Sequence, residues 1–200
     1  EEAELGDAIG LLRHHRIPIV DDTDDGSRGS GLMHHKFVVI DRTVVLTGSA
    51  NFTRSGMHGD AYRPKTRGNV NHMLRFQSRG LAGLFEQEFH TMWGDGPGGK
   101  LDSRFGLQKG STGVRTVMVG KTRVDVLFAP HRKRDTNHGL NWIEKQLSRA
   151  HKSIDMALFV FTAQQLADAL EQRVNAGLQI RLIADPSFAS RSFSEVLDLL

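Results

Sequence analysis

The chain has 200 residues, a formal net charge of +3 and a sequence pI near 9.4. With 38% hydrophobic and 24% charged residues it has the composition of a folded globular protein, and its basic balance favours an anionic partner such as nucleic acid or a lipid headgroup. The absence of cysteine excludes disulfides and thiolate metal sites, although it does not identify a compartment. No apolar run approaches the length of a transmembrane helix.

The chain begins with an amphipathic segment. Leu5, Ile9 and Leu12 recur at helical spacing and predict a short helix that ends near His14. Residues 21–31 are rich in aspartate, glycine and serine, which is typical of a loop. This predicted loop leads directly into the most informative part of the sequence.

Two short β-branched runs follow the loop. A polar trio, residues 34–36, precedes the apolar run 37–40, and a second run covers residues 43–47. Asp41-Arg42 separates the runs, which predicts neighbouring strands joined by a tight turn. Because strand side chains alternate between faces, His34 and Lys36 are predicted to project to one side and His35 to the other.

Further polar residues follow the second strand. Gly48 is predicted to end it, since a residue without Cβ can turn or approach a ligand closely. Ser49 and Asn51 then lie two residues apart, near the place where the neighbouring strand presents His34 and Lys36. The pattern predicts that an imidazole, an ammonium, a hydroxyl and a carboxamide converge.

These groups suit an anionic tetrahedral centre. Imidazole can attack phosphorus or transfer a proton, and the lysine, serine and asparagine side chains can bind non-bridging oxygens. This chemistry requires no carboxylate cluster for a metal ion. The structural alternative is a hairpin whose polar ends merely face water.

The complete spacing resembles the signature of the phospholipase D superfamily: His-x-Lys, four residues, Asp, six residues, then Gly-Ser-x-Asn. The resemblance implies that His34 is the catalytic histidine, with Lys36 as a catalytic partner. Lys36, Ser49 and Asn51 would hold the phosphate, while Asp41 completes the catalytic set as the motif aspartate, in an organising role. It also implies phosphodiester cleavage through a covalent phosphohistidine, without a metal or another cofactor.

A further strand is predicted over residues 69–76. In superfamily nucleases this strand often carries Asn-x-Glu-Asn, whose glutamate orients the catalytic histidine. Here Asn71 occupies the glutamate position, which makes it the candidate histidine-orienting residue. Its amide oxygen can accept an imidazole N–H but has no negative charge to stabilise an imidazolium. The preceding loop, residues 52–67, is basic and could hold a polyanionic substrate or simply face solvent.

The remaining sequence predicts a packing helix and a second unit. Helical spacing covers residues 80–93, and the glycine-rich residues 96–120 predict a linker or insertion. Residues 121–200 read as strand, helix, strand, helix, strand, which predicts a parallel sheet.

The resemblance then implies two partial domains. Residues 1–95 would be the motif-bearing C-terminal half of one phospholipase D-like domain, and residues 121–200 the N-terminal half of a second. The implied fold class is α/β, a mixed β-sheet flanked by helices in a phospholipase D/nuclease-like sandwich. The motif of the second domain would lie beyond Leu200.

The resulting functional expectation is a phosphodiesterase that hydrolyses a phospholipid or a nucleic acid. Two alternatives remain: a nucleic-acid-binding module with a phosphate pocket but no turnover, and a phosphatidyltransferase such as a cardiolipin synthase. The second catalytic motif is expected from a C-terminal continuation of the chain or, less favoured, from a homodimer. The 200-residue chain alone is therefore expected to be inactive.

Overall fold

In a computed structural model, the chain forms two compact units, Glu1–Ala129 and Pro130–Leu200. For residues 2–7 only the backbone is described. The described residues are 2–22, 32–59, 68–100, 102–136 and 138–196.

The first unit is built on a three-stranded antiparallel sheet with the strand order β1-β2-β3. Its strands are β1 Phe37–Ile40, β2 Val44–Gly48 and β3 Met73–Gln77. Its helices are α1 Glu2–His14, α2 Arg54–Met57 and α3 Arg79–Trp93. Because β2 lies between the other two strands, its Val45 is completely buried, at 0% exposure.

A tight turn joins β1 to β2, as the Asp-Arg pair predicted. Thr43 N donates to Ile40 O at 3.0 Å, which closes the turn. Asp41 and Arg42 both have positive φ angles, 50° and 54°. A type I′ turn requires this conformation at both central positions. Such turns are favoured in hairpins because their twist matches that of the flanking strands.

Helix α3 covers one face of the sheet, which confirms the predicted packing helix. The hydroxyl of Ser78 caps its N-terminus by accepting from Leu81 N at 3.2 Å, and Gly94 follows its last residue with φ 56°. Leu81, Ala82 and Phe85 pack against Val45 in one buried cluster. Burial of this apolar stripe, at about 25 cal/mol per Å² removed from water, holds the helix on the sheet.

The segment predicted as a linker contains regular structure. A 3₁₀ turn spans Gly106–Lys109, and β4 Arg115–Val119 pairs with β5 Thr122–Val126 as an antiparallel hairpin. Val117, Val119, Val124 and Val126 join the hydrophobic cluster beneath α3. The compact unit therefore continues to Ala129, well past the predicted linker of residues 96–120.

The second unit is a smaller α/β arrangement. Its elements are α4 Gly139–Ser148, β6 Ser153–Leu158, α5 Gln164–Asn175, β7 Gln179–Ala184 and α6 Pro186–Ala189. Strands β6 and β7 pair in parallel, as the strand-helix-strand pattern predicted. Ile154, Phe161, Leu166 and Leu170 form its buried core.

The prediction of a parallel sheet with three strands is wrong for one of those strands. Strand β5 was predicted to belong with β6 and β7, but it pairs antiparallel with β4 in the first unit. The cause is the two-residue turn at Gly120, which has φ 61° and brings two valine-rich strands together. The α/β class holds for the chain. Within the described part of the chain, no helix is both long and apolar enough to cross a membrane.

Candidate functional site

Three chain segments meet at one end of the β1-β2-β3 sheet. The register pairs Phe37 with Thr47 and Gly48 with Met73. The start of β1, the end of β2 and the start of β3 therefore lie at the same edge. The residues just beyond these strand ends, 34–36, 49–51 and 71–72, are those that the sequence singled out.

Ser49 is held in place by the segment that precedes β3. Its hydroxyl donates to Asn71 Oδ1 at 2.9 Å and accepts from His72 N at 3.1 Å. Its backbone N–H donates to His72 O at 3.1 Å. The ring nitrogen Nδ1 of His72 also lies 3.3 Å from the hydroxyl. The serine is thus fixed at the sheet edge while remaining exposed to solvent.

Two glycines permit this close approach of segments. A Cβ added to Gly48 would collide with the carbonyl oxygen of His72, and one added to Gly56 would collide with that of Asn51. Both obstacles are backbone atoms, which cannot rotate away as a flexible side chain can. The glycine of the Gly-Ser-x-Asn motif is therefore required by backbone packing around Ser49 and Asn51.

His34 and Lys36 lie at the same edge, immediately before β1. Lys36 Nζ donates to the carbonyl oxygen of His34 at 2.8 Å, so the ammonium is held beside the histidine backbone. The side chain of His34 is exposed, as are Ser49 and Asn51, whereas Lys36 is half-buried. The structure therefore brings the predicted His34, Lys36, Ser49 and Asn51 to one solvent-accessible edge.

Asp41 is not part of this group. It lies in the turn at the far end of the hairpin, five residues beyond Lys36. At about 3.3 Å per residue the separation is roughly 16 Å. Its location fits an organising role in the turn, and the structure does not bring it together with His34.

Asn71 is bonded to the serine, not to the histidine. Its amide oxygen accepts from Ser49, while its Nδ2 donates to Gly56 O at 3.0 Å and Asn69 O at 3.4 Å. The geometry thus assigns Asn71 to the support of Ser49. In the basic loop of residues 52–67, Arg54 begins α2, whereas Arg63, Lys65 and Arg67 lie outside the described residues.

His35 points away from the exposed edge, as the alternation predicted. Its Nε2 lies 2.9 Å from Glu88 Oε1 on α3. Its ring makes edge contacts with Phe37 and Phe128, at centroid distances of 5.4 and 5.8 Å. The same oxygen of Glu88 accepts from Lys109 Nζ, which also donates to Ala129 O at 2.9 Å.

Sequence reasoning missed this buried polar group. Glu88 is only 6% exposed, and the side chain of Lys109 is also 6% exposed. A signal was present, because Glu88 follows Leu81 and Phe85 on the apolar stripe of α3 and precedes Met92. A carboxylate at such a position needs charged or hydrogen-bonding partners.

The partners also control the protonation of Glu88. Burial alone would raise the pKa of this carboxyl, but hydrogen bonds from His35 and Lys109, together with the charge of Lys109, lower the pKa below its ordinary value of 4.5. Glu88 is therefore a carboxylate at neutral pH, balanced by the buried ammonium.

One cavity of about 530 Å³ lies elsewhere in the first unit. Arg13, Arg16 and Lys100 line it together with the glycine-rich loop after α3, and the motif residues do not. The candidate site lies at a sheet edge where His34, Ser49 and Asn51 are exposed. Across the described ranges, no three His, Asp or Glu side chains are grouped closely enough to hold a metal ion.

The motif region is similar to a known protein family. Residues 6–93 match the family model described as "Cardiolipin synthase, PLD-like domain". The matched segment runs from within α1 to the last residue of α3. It contains every predicted site residue.

Curated relatives match a segment of similar length. The mitochondrial cardiolipin hydrolase of Xenopus tropicalis is 36% identical over 91 residues, covering 46% of this chain and 37% of the relative. Those of Mus musculus and Homo sapiens are each 33% identical over 88 residues, covering 44% of this chain and 34% and 29% of the relatives. The chain spans about a third of the length of these relatives. Residues 6–93 of this chain are therefore similar to a phospholipase D-like domain.

Proposed function

We propose that the protein containing this chain is a phospholipase D-type phosphodiesterase that uses His34 as a catalytic histidine. The observation that carries the proposal is the arrangement of His34, Lys36, Ser49 and Asn51 at one exposed sheet edge, within the segment that matches the family. This edge offers a nucleophile beside donors for phosphate oxygens. Lys36 and Ser49 are each held by a hydrogen bond to the backbone, to His34 O and from His72 N.

The proposed reaction has two displacements. An imidazole nitrogen of one catalytic histidine attacks phosphorus, the phosphorus–oxygen bond to the leaving alcohol breaks, and a phosphohistidine forms. Water then attacks phosphorus and releases the histidine with the phosphomonoester. Lys36, Ser49 and Asn51 stabilise the negative charge on the non-bridging oxygens in both steps. His34 acts either as the nucleophile or as the general acid for the leaving group.

The reaction needs a second group on the opposite side of phosphorus. We propose that a second histidine motif supplies it, either from a longer form of this chain or from a second copy of the protein. The His34 edge is exposed, which is compatible with either source. Accordingly, the 200-residue chain as a monomer should show little turnover.

A phospholipid is the favoured substrate. Leu32 and Phe52 are 84% and 59% exposed, and they flank the two halves of the motif. Apolar side chains beside a phosphate site suit acyl chains or an interfacial substrate. The names of the relatives, mitochondrial cardiolipin hydrolases, point to cardiolipin or a similar phospholipid as the first substrate to test.

Two other functions have specific support. The family description names a synthase, so transfer of a phosphatidyl group to an alcohol is the nearest alternative. A nucleic-acid-binding role is supported by the sequence pI near 9.4 and by Asn71, whose uncharged amide lies where related nucleases carry a carboxylate. Salt-dependent DNA binding without turnover would favour the latter.

The deciding experiment compares the longer protein with its His34→Ala variant on cardiolipin vesicles, single-stranded DNA and bis-p-nitrophenyl phosphate. We expect release of phosphatidic acid and phosphatidylglycerol from cardiolipin, and labelled enzyme denatured at alkaline pH, where the N–P bond is stable, should contain a phosphohistidine. Adding labelled glycerol separates hydrolysis from transfer, because hydrolysis of cardiolipin already releases phosphatidylglycerol as its leaving alcohol and only transfer places the label in phosphatidylglycerol. Turnover that survives His34→Ala on every substrate would refute the proposal.

A further inference from the structure

The buried group beneath the motif joins three separate parts of the first unit. His35 precedes β1, Glu88 lies on α3, and Lys109 ends the 3₁₀ turn. His35 Nε2 is 2.9 Å from Glu88 Oε1, and Lys109 bonds the same oxygen. We call these residues the His35–Glu88–Lys109 cluster.

We propose that the His35–Glu88–Lys109 cluster positions His34 and Lys36 for catalysis. The proposal rests on the function proposed for His34, and it assigns no contact with substrate to the cluster. Glu88 and Lys109 are positioning residues that act through His35. Their effect reaches the site because His35 lies between the two motif residues in sequence.

The backbone geometry makes this transmission direct. Residues 32–36 precede β1 and lie outside the strand ladder. In an extended segment, side chains alternate, so fixing the direction of His35 also fixes the opposite direction of its two neighbours. On the exposed side of the segment, the hydrogen bond from Lys36 Nζ to His34 O bridges the two neighbours of His35. The segment is thereby held from both faces.

The cluster is also arranged to hold the imidazole firmly. Phe37 and Phe128 contact the ring edge-on, which restricts its rotation. Glu88 is held by Lys109, and Lys109 is held by the carbonyl of Ala129. The buried ammonium of Lys109 balances the charge of the buried Glu88 carboxylate. Glu88 therefore needs no solvent-exposed counterion and remains available to accept from His35.

Two double variants separate positioning from stability. Glu88→Gln with Lys109→Met removes both charges but keeps an amide oxygen that can accept from His35. Glu88→Leu with Lys109→Met also removes both charges and leaves His35 without its acceptor. Because an apolar pair of similar volume can replace a buried ion pair, both variants should have similar melting temperatures.

Activity should distinguish the two variants. In the longer protein, the glutamine variant should retain kcat/KM within about threefold of wild type, whereas the leucine variant should lose about tenfold or more through misplacement of His34 and Lys36. Equal kcat/KM at equal stability would overturn the positioning role. The shared Lys109→Met change is the matched control.

A second pair of variants leaves Glu88 and Lys109 intact. His35→Gln keeps an N–H donor toward Glu88, and His35→Leu removes it. If the leucine double variant does not fold, this pair gives the same comparison. We expect rescue of kcat by glutamine relative to leucine, and identical kinetics would contradict the proposal.

A readout independent of turnover separates this inference from the proposed function. In the 200-residue chain, imidazole NMR resonances of His34 should shift on titration with inorganic phosphate. The leucine double variant should weaken that response relative to the glutamine double variant. If the longer protein lacks phosphodiesterase activity, the proposed function fails, while this difference still tests the cluster; an identical His34 response in both variants overturns it.

Discussion

Ser49 and Asn71 are joined by a hydrogen bond of 2.9 Å in which the serine hydroxyl donates to the amide oxygen. The two residues come from opposite sides of a loop, 22 positions apart in the sequence. The hydroxyl oxygen also accepts from His72 N at 3.1 Å, so Asn71 and His72 together fix its position. Because a serine hydroxyl has a single proton, Ser49 donates to a phosphate oxygen only when that proton turns away from Asn71. Asn71 thus holds Ser49 in position and gives up its hydrogen bond when phosphate binds.

Asn71→Ala should therefore weaken phosphate binding more than it slows chemistry. We expect KM for a soluble phosphodiester to rise about fivefold to tenfold, since the Ser49 oxygen loses a partner that fixes its position and its hydrogen bond to phosphate becomes poorly oriented. Asn71→Asp keeps the acceptor for Ser49 and serves as the control. Inhibition constants for inorganic phosphate provide the direct measurement, and an unchanged constant in Asn71→Ala would exclude this role.

His34 and His35 should respond differently to alanine. His34→Ala is expected to lower kcat by about 10³-fold or more, because it removes a group that acts on phosphorus or on the leaving oxygen. His35→Ala should lower activity by about tenfold, through loss of the bond to Glu88. Steady-state kinetics of both variants in the longer protein measure which substitution lowers activity more. Complete loss in His35→Ala with activity in His34→Ala would reverse the assignment.

Activity should persist in excess chelator. Lys36 supplies a positive charge, and Ser49 and Asn51 supply donors, so the proposed displacement has charge stabilisation from side chains. Turnover measured with and without EDTA, after prior dialysis against chelator, should agree within about twofold. Loss of activity that is restored by a divalent cation would require a different mechanism.

Acid should destabilise the first unit through Glu88. Its pKa in the folded protein lies below the ordinary value of 4.5, so its contribution to the free energy of unfolding is complete above that value and is lost as the pH falls through the folded pKa. Glu88→Gln should lower stability by about 3 kcal/mol at pH 7, because it leaves the buried Lys109 unpaired.

Urea unfolding between pH 7 and pH 3 measures this effect. The difference between wild type and Glu88→Gln should be constant at neutral pH and should shrink below about 4.5, where the wild-type carboxyl becomes protonated. Exposed carboxylates with lowered pKa, such as Asp125, titrate in both proteins and cancel. A difference that is independent of pH would show that the charge of Glu88 does not contribute.

Arg42→Gly should stabilise the β1-β2 turn. Arg42 has φ 54°, a left-handed conformation that costs a side-chain-bearing residue about 1 kcal/mol and costs glycine little. Its ion pair with Glu86, at 3.4 Å, is largely exposed and contributes little. We expect a gain of about 0.5–1 kcal/mol in the free energy of unfolding.

Arg42→Ala is the control for this prediction, because it removes the ion pair but keeps the strained backbone. Thermal unfolding should rank Arg42→Gly above Arg42→Ala. The opposite order would mean that glycine's greater freedom in the unfolded chain outweighs the relief of strain in the turn.

The sequence alone determined the parts of this protein that depend on local geometry. Strand alternation placed His34 opposite His35, and the Asp-Arg pair predicted the turn that returns Ser49 and Asn51 to the edge near His34. Helical spacing predicted α3, and the motif spacing predicted the similarity of residues 6–93 to a phospholipase D-like domain. Each of these predictions uses residues within a few positions of one another or the spacing of a motif along the chain.

Tertiary structure decided what depends on distant partners. The β4-β5 hairpin follows from a local turn at Gly120, but the contact of its valines with the cluster of Val45 and Phe85 requires the packing of α3. His35 and Glu88 are 53 residues apart, and Lys109 is another 21 residues along, so only the packing of α3 and the 3₁₀ turn brings them together. Asn71 likewise reaches Ser49 only after β3 has paired with β2, because a side-chain hydrogen bond is specified by the fold around it and not by its own residue type.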